Sequence, residues 1–180
     1  MRTKTTMLLT TAALLCALCA VLSQIQIPIP PVPISLSLLA VHLCGTLLGV
    51  RWGTAAVCCY LMLGAAGLPV FAGFAGGLSV LFGPTGGFLF GYIPCVWIVG
   101  TATRRFGFSR RTLFFAMALG TLACYALGAA WFMLLSGSRA GAALAACVLP
   151  FIPGDILKII LAVTLSLRLE KPRRSAGLCV

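Results

Sequence analysis

Only two side chains in this 180-residue chain are acidic, Asp155 and Glu170, and they keep different company. Glu170 stands among Arg168, Lys171, Arg173 and Arg174, where a solvated ion pair accounts for it. Asp155 follows Pro153 and Gly154 at the head of an apolar run, with Lys158 three residues on. Side chains three apart share a helix face, so the two can act as a pair. One reading makes Asp155 a helix-start residue that complements the dipole, with Lys158 neutralising it. The other makes them a polar pair facing an internal site, because ionisable groups inside apolar spans mark function by default. A lysine is unfavourable near a helix N-terminus, so the first reading explains Asp155 better than Lys158.

Other groups with chemical potential are poorly supported. His42 is the one histidine and has no acid near it in sequence, which reads as a packed hydrogen-bonding group. Ser136 and Ser138 lack an evident base. Of the nine cysteines, eight lie in or beside apolar stretches, where Cys behaves as a small hydrophobe. Cys16 and Cys19 spell CxxC, but without a second pair or a nearby His no metal site is expected. No nucleotide-binding, HExxH or paired-carboxylate motif appears, so the chain is not expected to be an enzyme or to hydrolyse ATP.

The elements around these residues must be membrane helices. Hydrophobic residues make up 61% of the chain and charged ones 8%, against roughly a quarter charged in soluble domains. Such a chain cannot cover its surface in water, so lipid must be its solvent. The net charge of +11 does not indicate nucleic acid, because the basic residues fall between apolar spans and not along one face.

Breaks at charges, prolines and glycines predict one all-α integral membrane domain over residues 1–180, with helices at about 7–25, 35–50, 54–68, 87–103, 112–136 and 153–169, and a short basic tail at 170–180. The start resembles a signal peptide but lacks a clean cleavage site, and is read as a retained helix. The third span is the shortest, and the apolar segment after Pro69 is expected to fold back into the bundle. With both termini in the cytoplasm, eleven of the 13 Lys and Arg fall inside, leaving Arg139 outside and Lys158 in or at the edge of the last helix. The positive-inside rule predicts this asymmetry, and six crossings fit it. The outer segments 24–34, 69–86 and 137–152 are then uncharged or nearly so, and are expected to pack on the bundle.

Glycines spaced by four (Gly45, Gly49, Gly53; Gly83, Gly87, Gly91) permit close helix approach. Ala13 and Ala17 lie one turn apart on the first helix. Internal packing and a docking face for another membrane subunit are both open for these residues.

Three segments carry a resemblance: QIQIPIPPVPISL from Gln24, GLPVFAGFAGGLSVLFGPTGGFLFGY from Gly67 to Tyr92, and LPFIPGDILK from Leu149 to Lys158. In order and over nearly the whole chain, they closely resemble the biotin-specific substrate-binding subunit of energy-coupling-factor vitamin transporters. The resemblance implies a six-helix bundle in the bacterial inner membrane that binds biotin near the outer face and needs no cofactor. It implies ligand contacts at Asp155 and Lys158, and at Pro33, Gly83, Pro84, Thr85, Gly86 and Gly87. It also implies that Ala13 and Ala17 meet a transmembrane coupling subunit, with separate ATPase subunits supplying energy. Ser37 and Phe88 depart from the family pattern and are assigned no polar contact. A subunit for another vitamin and a non-catalytic assembly protein are the competing readings.

Overall fold

The first apolar run forms one uninterrupted helix, α1 (Arg2–Gln24), in the computed structural model, which describes residues 2–30 and 32–175. Its inward face is Ala12, Leu15, Cys16, Cys19 and Ser23, a stripe at helical spacing, while Leu9, Leu14 and Val21 face outward. A two-residue antiparallel ladder follows, β1 (Gln26–Ile27) against β2 (Ile34–Ser35), closing the proline-rich loop into a flap.

The expected second and third helices form one run, α2 (Ser37–Ala65), broken at Gly49, whose φ of 69° and ψ of −169° are open essentially to glycine alone. The chain reverses there. A Cβ on Gly53 would sit 2.6 Å from the carbonyl oxygen of Cys44. A straight helix would hold those residues roughly 13 Å apart along its axis. Hence α2 is a helical hairpin with limbs packed side by side. The turn lies at Gly49 and not at 51–53, because backbone conformation and not the charge of Arg51 sets the break. The second limb stops at Ala65, three residues short of the expected end.

Beyond α2 the chain does fold back on the bundle. Phe71 is 1% exposed, and its ring occupies the space a side chain on Gly64 would need. It meets Tyr60 edge-to-face, with ring centroids 5.5 Å apart. Gln24 fastens this segment to the end of α1: its Nε2 donates to Phe71 O at 3.1 Å, and its Oε1 accepts from Phe74 N at 2.8 Å. The short α3 (Leu78–Leu81) leads into α4 (Gly86–Phe106).

Helix α5 (Arg110–Ser136) starts where Ser109 Oγ accepts from Thr112 N at 3.1 Å, and stops at Gly137 in the left-handed region. It lies unusually close to α4. Cβ atoms on Gly87 and Gly91 would fall 2.2 Å from Trp131 Cβ and 2.9 Å from Cys124 Cα. These glycines therefore serve packing inside the chain.

The segment 137–152, expected as a loop, contains a helix, α6 (Ala140–Cys147), bent 53° from the helix that follows. That last helix, α7 (Ile152–Ser175), starts as expected and runs into the predicted tail; residues 176–180 lie outside the described residues. Helix α7 packs on α2 and α5. Four helices are long and apolar enough to cross a bilayer, or five if the bent α6–α7 pair is one span; in this count α2 is a single helix. The molecule is thus an all-helical, multi-pass membrane protein whose loops cover one end.

Candidate functional site

Pro153 and Gly154 lie in the first turn of α7, followed by Asp155, whose backbone N–H is already bonded to Phe151 O at 2.8 Å. Asp155 thus already belongs to the helical bonding pattern. Lys158 Nζ donates to Asp155 Oδ1 at 2.6 Å, and Tyr125 of α5 donates its hydroxyl to Asp155 Oδ2. Asp155 is 4% exposed and Lys158 5%. Removing two charges from water is expensive and is recovered only through close pairing and further hydrogen bonds. Among the described residues the Lys158 ammonium donates only to Asp155, although it carries three N–H donors.

Both side chains face a hollow of about 380 Å³ whose other walls include Val32, Pro33, Tyr92, Phe88 and Phe151. The hollow joins a larger one of about 870 Å³ beneath the folded-back segment, and Val32, Pro33, Ser35, Phe88 and Tyr92 line both. Hydroxyl groups sit at the junction. Ser37 Oγ lies 2.6 Å from Tyr92 Oη and 2.7 Å from Ser35 Oγ. Deeper in the larger hollow, Tyr60 Oη donates to Ser23 Oγ at 3.3 Å. The result is a half-open pocket with largely apolar walls, one ionic end and a few fixed hydroxyls, the usual make-up of a small-molecule site.

The expected site residues divide. Asp155 and Lys158 stand at the ionic end, Pro33 lines both hollows, and Gly83, Pro84 and Thr85 line the larger one. Gly86 and Gly87 line neither. Cβ atoms there would fall 1.7 Å from Leu81 O and 2.2 Å from Trp131 Cβ, so both glycines seat the start of α4 against its neighbours. Trp131 Nε1 also donates to Gly83 O at 3.0 Å, fixing the loop that leads in. Ser37, given no polar contact from sequence, is buried and bonded to Tyr92; Phe88 keeps an apolar role against Phe151.

Sequence reasoning missed Tyr60, Tyr92 and Tyr125. A signal was present, since the chain has three tyrosines, all in apolar spans, and all three line the hollows. A phenol in lipid needs a partner for its hydroxyl.

The remaining candidates lie elsewhere. His42 is fully buried, with Nε2 3.2 Å from Thr121 Oγ1 and Nδ1 3.6 Å from Cys95 Sγ, and lines neither hollow. Ala13 and Ala17 are exposed on the outward face of α1, away from the stripe that packs inside the chain. Arg139 is exposed beside α6 and does not reach the pocket.

Comparison with known proteins identifies the family. The chain is 38% identical to the biotin transporter BioY of Thermotoga maritima over 89% of its own length and 94% of that protein's. It is 36% identical to BioY2 of Lactococcus lactis, described as a biotin transporter, over 89% of this chain and 88% of the relative. A 2.1 Å crystal structure of the S-component for biotin from an ECF-type ABC transporter matches with a TM-score of 0.89 at 31% identity, covering 95% of this chain and 94% of that one. The BioY family model matches residues 1–175, and the chain belongs to the BioY family.

Proposed function

We propose that this protein binds biotin in the pocket headed by Asp155 and Lys158, as the substrate-specific membrane subunit of an energy-coupling-factor importer. The observation that carries the reading is the buried Asp155–Lys158–Tyr125 group facing a largely apolar hollow, in a chain whose relatives are described as biotin transporters. Biotin has an apolar bicyclic body, a ureido group with two donors and one acceptor, and a carboxylate tail. Asp155 has lone pairs for ureido N–H groups, and the unused Lys158 donors suit the ureido oxygen or the carboxylate. The flap around Val32 and Pro33 and the loop from Phe71 to Thr85 form walls of the pocket.

Counting the two limbs of α2 separately, and α7 as the last span, the reading has six crossings with both termini in the cytoplasm. Arg51 and Arg104 line one hollow, Arg110 and Arg168 another, and Arg104, Arg105, Arg110 and Arg111 flank the turn between α4 and α5, a gathering at one end that the positive-inside rule makes the cytoplasmic one. The exposed Ala13 and Ala17 provide a low-relief strip on α1 where a transmembrane coupling subunit can approach closely, while ATPase subunits supply the energy.

Purified protein titrated with labelled biotin, with riboflavin and thiamine as competitors, tests the ligand. High-affinity biotin binding that neither competitor displaces is expected. Preferential riboflavin or thiamine binding would reassign the substrate. Cysteine-accessibility labelling tests the orientation, and an externally labelled C-terminus would overturn six crossings.

A further inference from the structure

Helices α5 and α7 leave a groove between them at the arginine-bearing end of the bundle, remote from the pocket. Two adjoining hollows of about 700 and 780 Å³ mark it, and Arg110 and Thr164 line both. Its mouth is basic. Arg110 and Arg111 stand at the start of α5, and Arg168 approaches from α7. Among the described residues no acidic side chain lines either hollow, so like charges converge there. Such a grouping is unfavourable beside a low-dielectric medium unless a counter-anion neutralises it.

The groove changes character away from the mouth. One turn into α5 come Phe114 and Phe115, and on α7 the run back from Arg168 passes Thr164 and Val163 to Ile160. From Arg168 to Ile160 the helix rises roughly 12 Å toward mid-membrane. Phe115 is 69% exposed and Ile160 50%, so the described residues leave much of this apolar floor uncovered. A cationic mouth at the membrane boundary, opening on an apolar channel that runs inward, is complementary to an amphiphile with an anionic head.

We propose that this groove binds an anionic phospholipid, its phosphate held among Arg110, Arg111 and Arg168 and an acyl chain lying along Phe114, Phe115 and Ile160. Basic pockets between membrane helices have the chemistry for such headgroups. The inference is independent of the biotin reading, because no residue of the groove lines the vitamin pocket.

Native mass spectrometry of delipidated protein in detergent tests it, with phosphatidylglycerol and phosphatidylcholine of identical chains. One phosphatidylglycerol should be retained in preference to phosphatidylcholine. The R110Q/R168Q variant should weaken that retention about fivefold per arginine removed and leave biotin binding unchanged. The R104Q/R105Q variant, which loses the same charge at the same end but outside the groove, should retain the lipid. Equal retention of the two lipids, or equal loss in both variants, would overturn the site. Glycerol 3-phosphate should not displace the lipid; displacement at equal concentration would reduce the groove to a phosphate site and overturn the acyl assignment. Retention of a co-purified polypeptide in place of lipid would overturn the choice of occupant.

Discussion

Ser37 Oγ lies 2.6 Å from Tyr92 Oη, tying the first turn of α2 to the second turn of α4 where the two hollows meet. Both groups are buried, so the contact is made without competition from water. Hydrogen bonds between membrane helices contribute about 0.6 kcal/mol on average and at most ~1.7. Ser37→Ala should therefore lower stability by no more than about 2 kcal/mol. Ser37 also meets Ser35, so Tyr92→Phe leaves it a partner and should cost less. In a double-mutant cycle scored by thermal unfolding, the pair should lose less than the sum of the singles. Additive losses would mean that the contact carries no coupling energy.

The ionic end should respond in a different way. Lys158→Met leaves the Asp155 carboxylate buried without its cation, and breaking a buried pair from one side costs about 3–5 kcal/mol. Asp155→Asn turns half of the acceptor into a donor facing donors. Each substitution should weaken biotin binding at least tenfold, about 1.4 kcal/mol. If the pair acts as a unit, Asp155→Asn with Lys158→Met should unfold at a higher temperature than Lys158→Met alone. Binding should stay weak in all three. A folded Asp155→Asn protein with normal affinity would leave Asp155 as a helix-start residue only.

This end of the pocket was legible because Asp155 is the one acid inside an apolar run, and its distance from Lys158 fixes a shared helix face. The tyrosines were overlooked despite their placement in apolar spans, because composition counts a phenol among the hydrophobic residues and is blind to the hydroxyl of Tyr125 or Tyr92. The α2 turn was misplaced by a few residues for a similar reason. Charge made Arg51 conspicuous, whereas the reversal depends on a backbone conformation at Gly49 that composition does not reveal. Helix α6 escaped notice because its alanine-rich run is too short to register as a span and carries no periodic signal. Gly86 and Gly87 were expected in the site from the resemblance of the GPTGG run, whereas the positions of Leu81 and Trp131 show the close packing each glycine permits.

Gly49 offers a test of the hairpin. Nothing lies within 4 Å of where its Cβ would be, so a methyl group meets no steric obstacle. The cost of Gly49→Ala is then purely conformational, about 1–3 kcal/mol for holding a non-glycine residue in that region. Gly141 supplies the contrast: it lies within α6, also with open space around its Cβ position. Gly141→Ala should be neutral or stabilise by up to about 1 kcal/mol, the helix-propensity difference between the residues. Unfolding temperatures of the two single variants should shift in opposite directions or by clearly different amounts. Equal shifts would mean that the reversal does not depend on Gly49.

The outward face of α1 gives the final prediction. Ala13 and Ala17 are exposed, whereas Ala12 and Cys16, one residue earlier in each turn, are buried against the bundle. Enlarging Ala13 and Ala17 therefore adds atoms to the lipid-facing surface and leaves the core untouched. Without partner subunits, Ala13→Leu with Ala17→Leu should bind biotin with unchanged affinity and keep its melting temperature. Small residues matter where two helices must approach closely, and leucines there would hold a partner helix away. Biotin uptake by cells expressing the coupling and ATPase subunits should fall severalfold, and the complex should fail to co-purify. Because binding and assembly are read separately, a loss of both would indicate damage to the bundle. Full uptake with intact binding would show that the small side chains of this strip are not what a partner recognises.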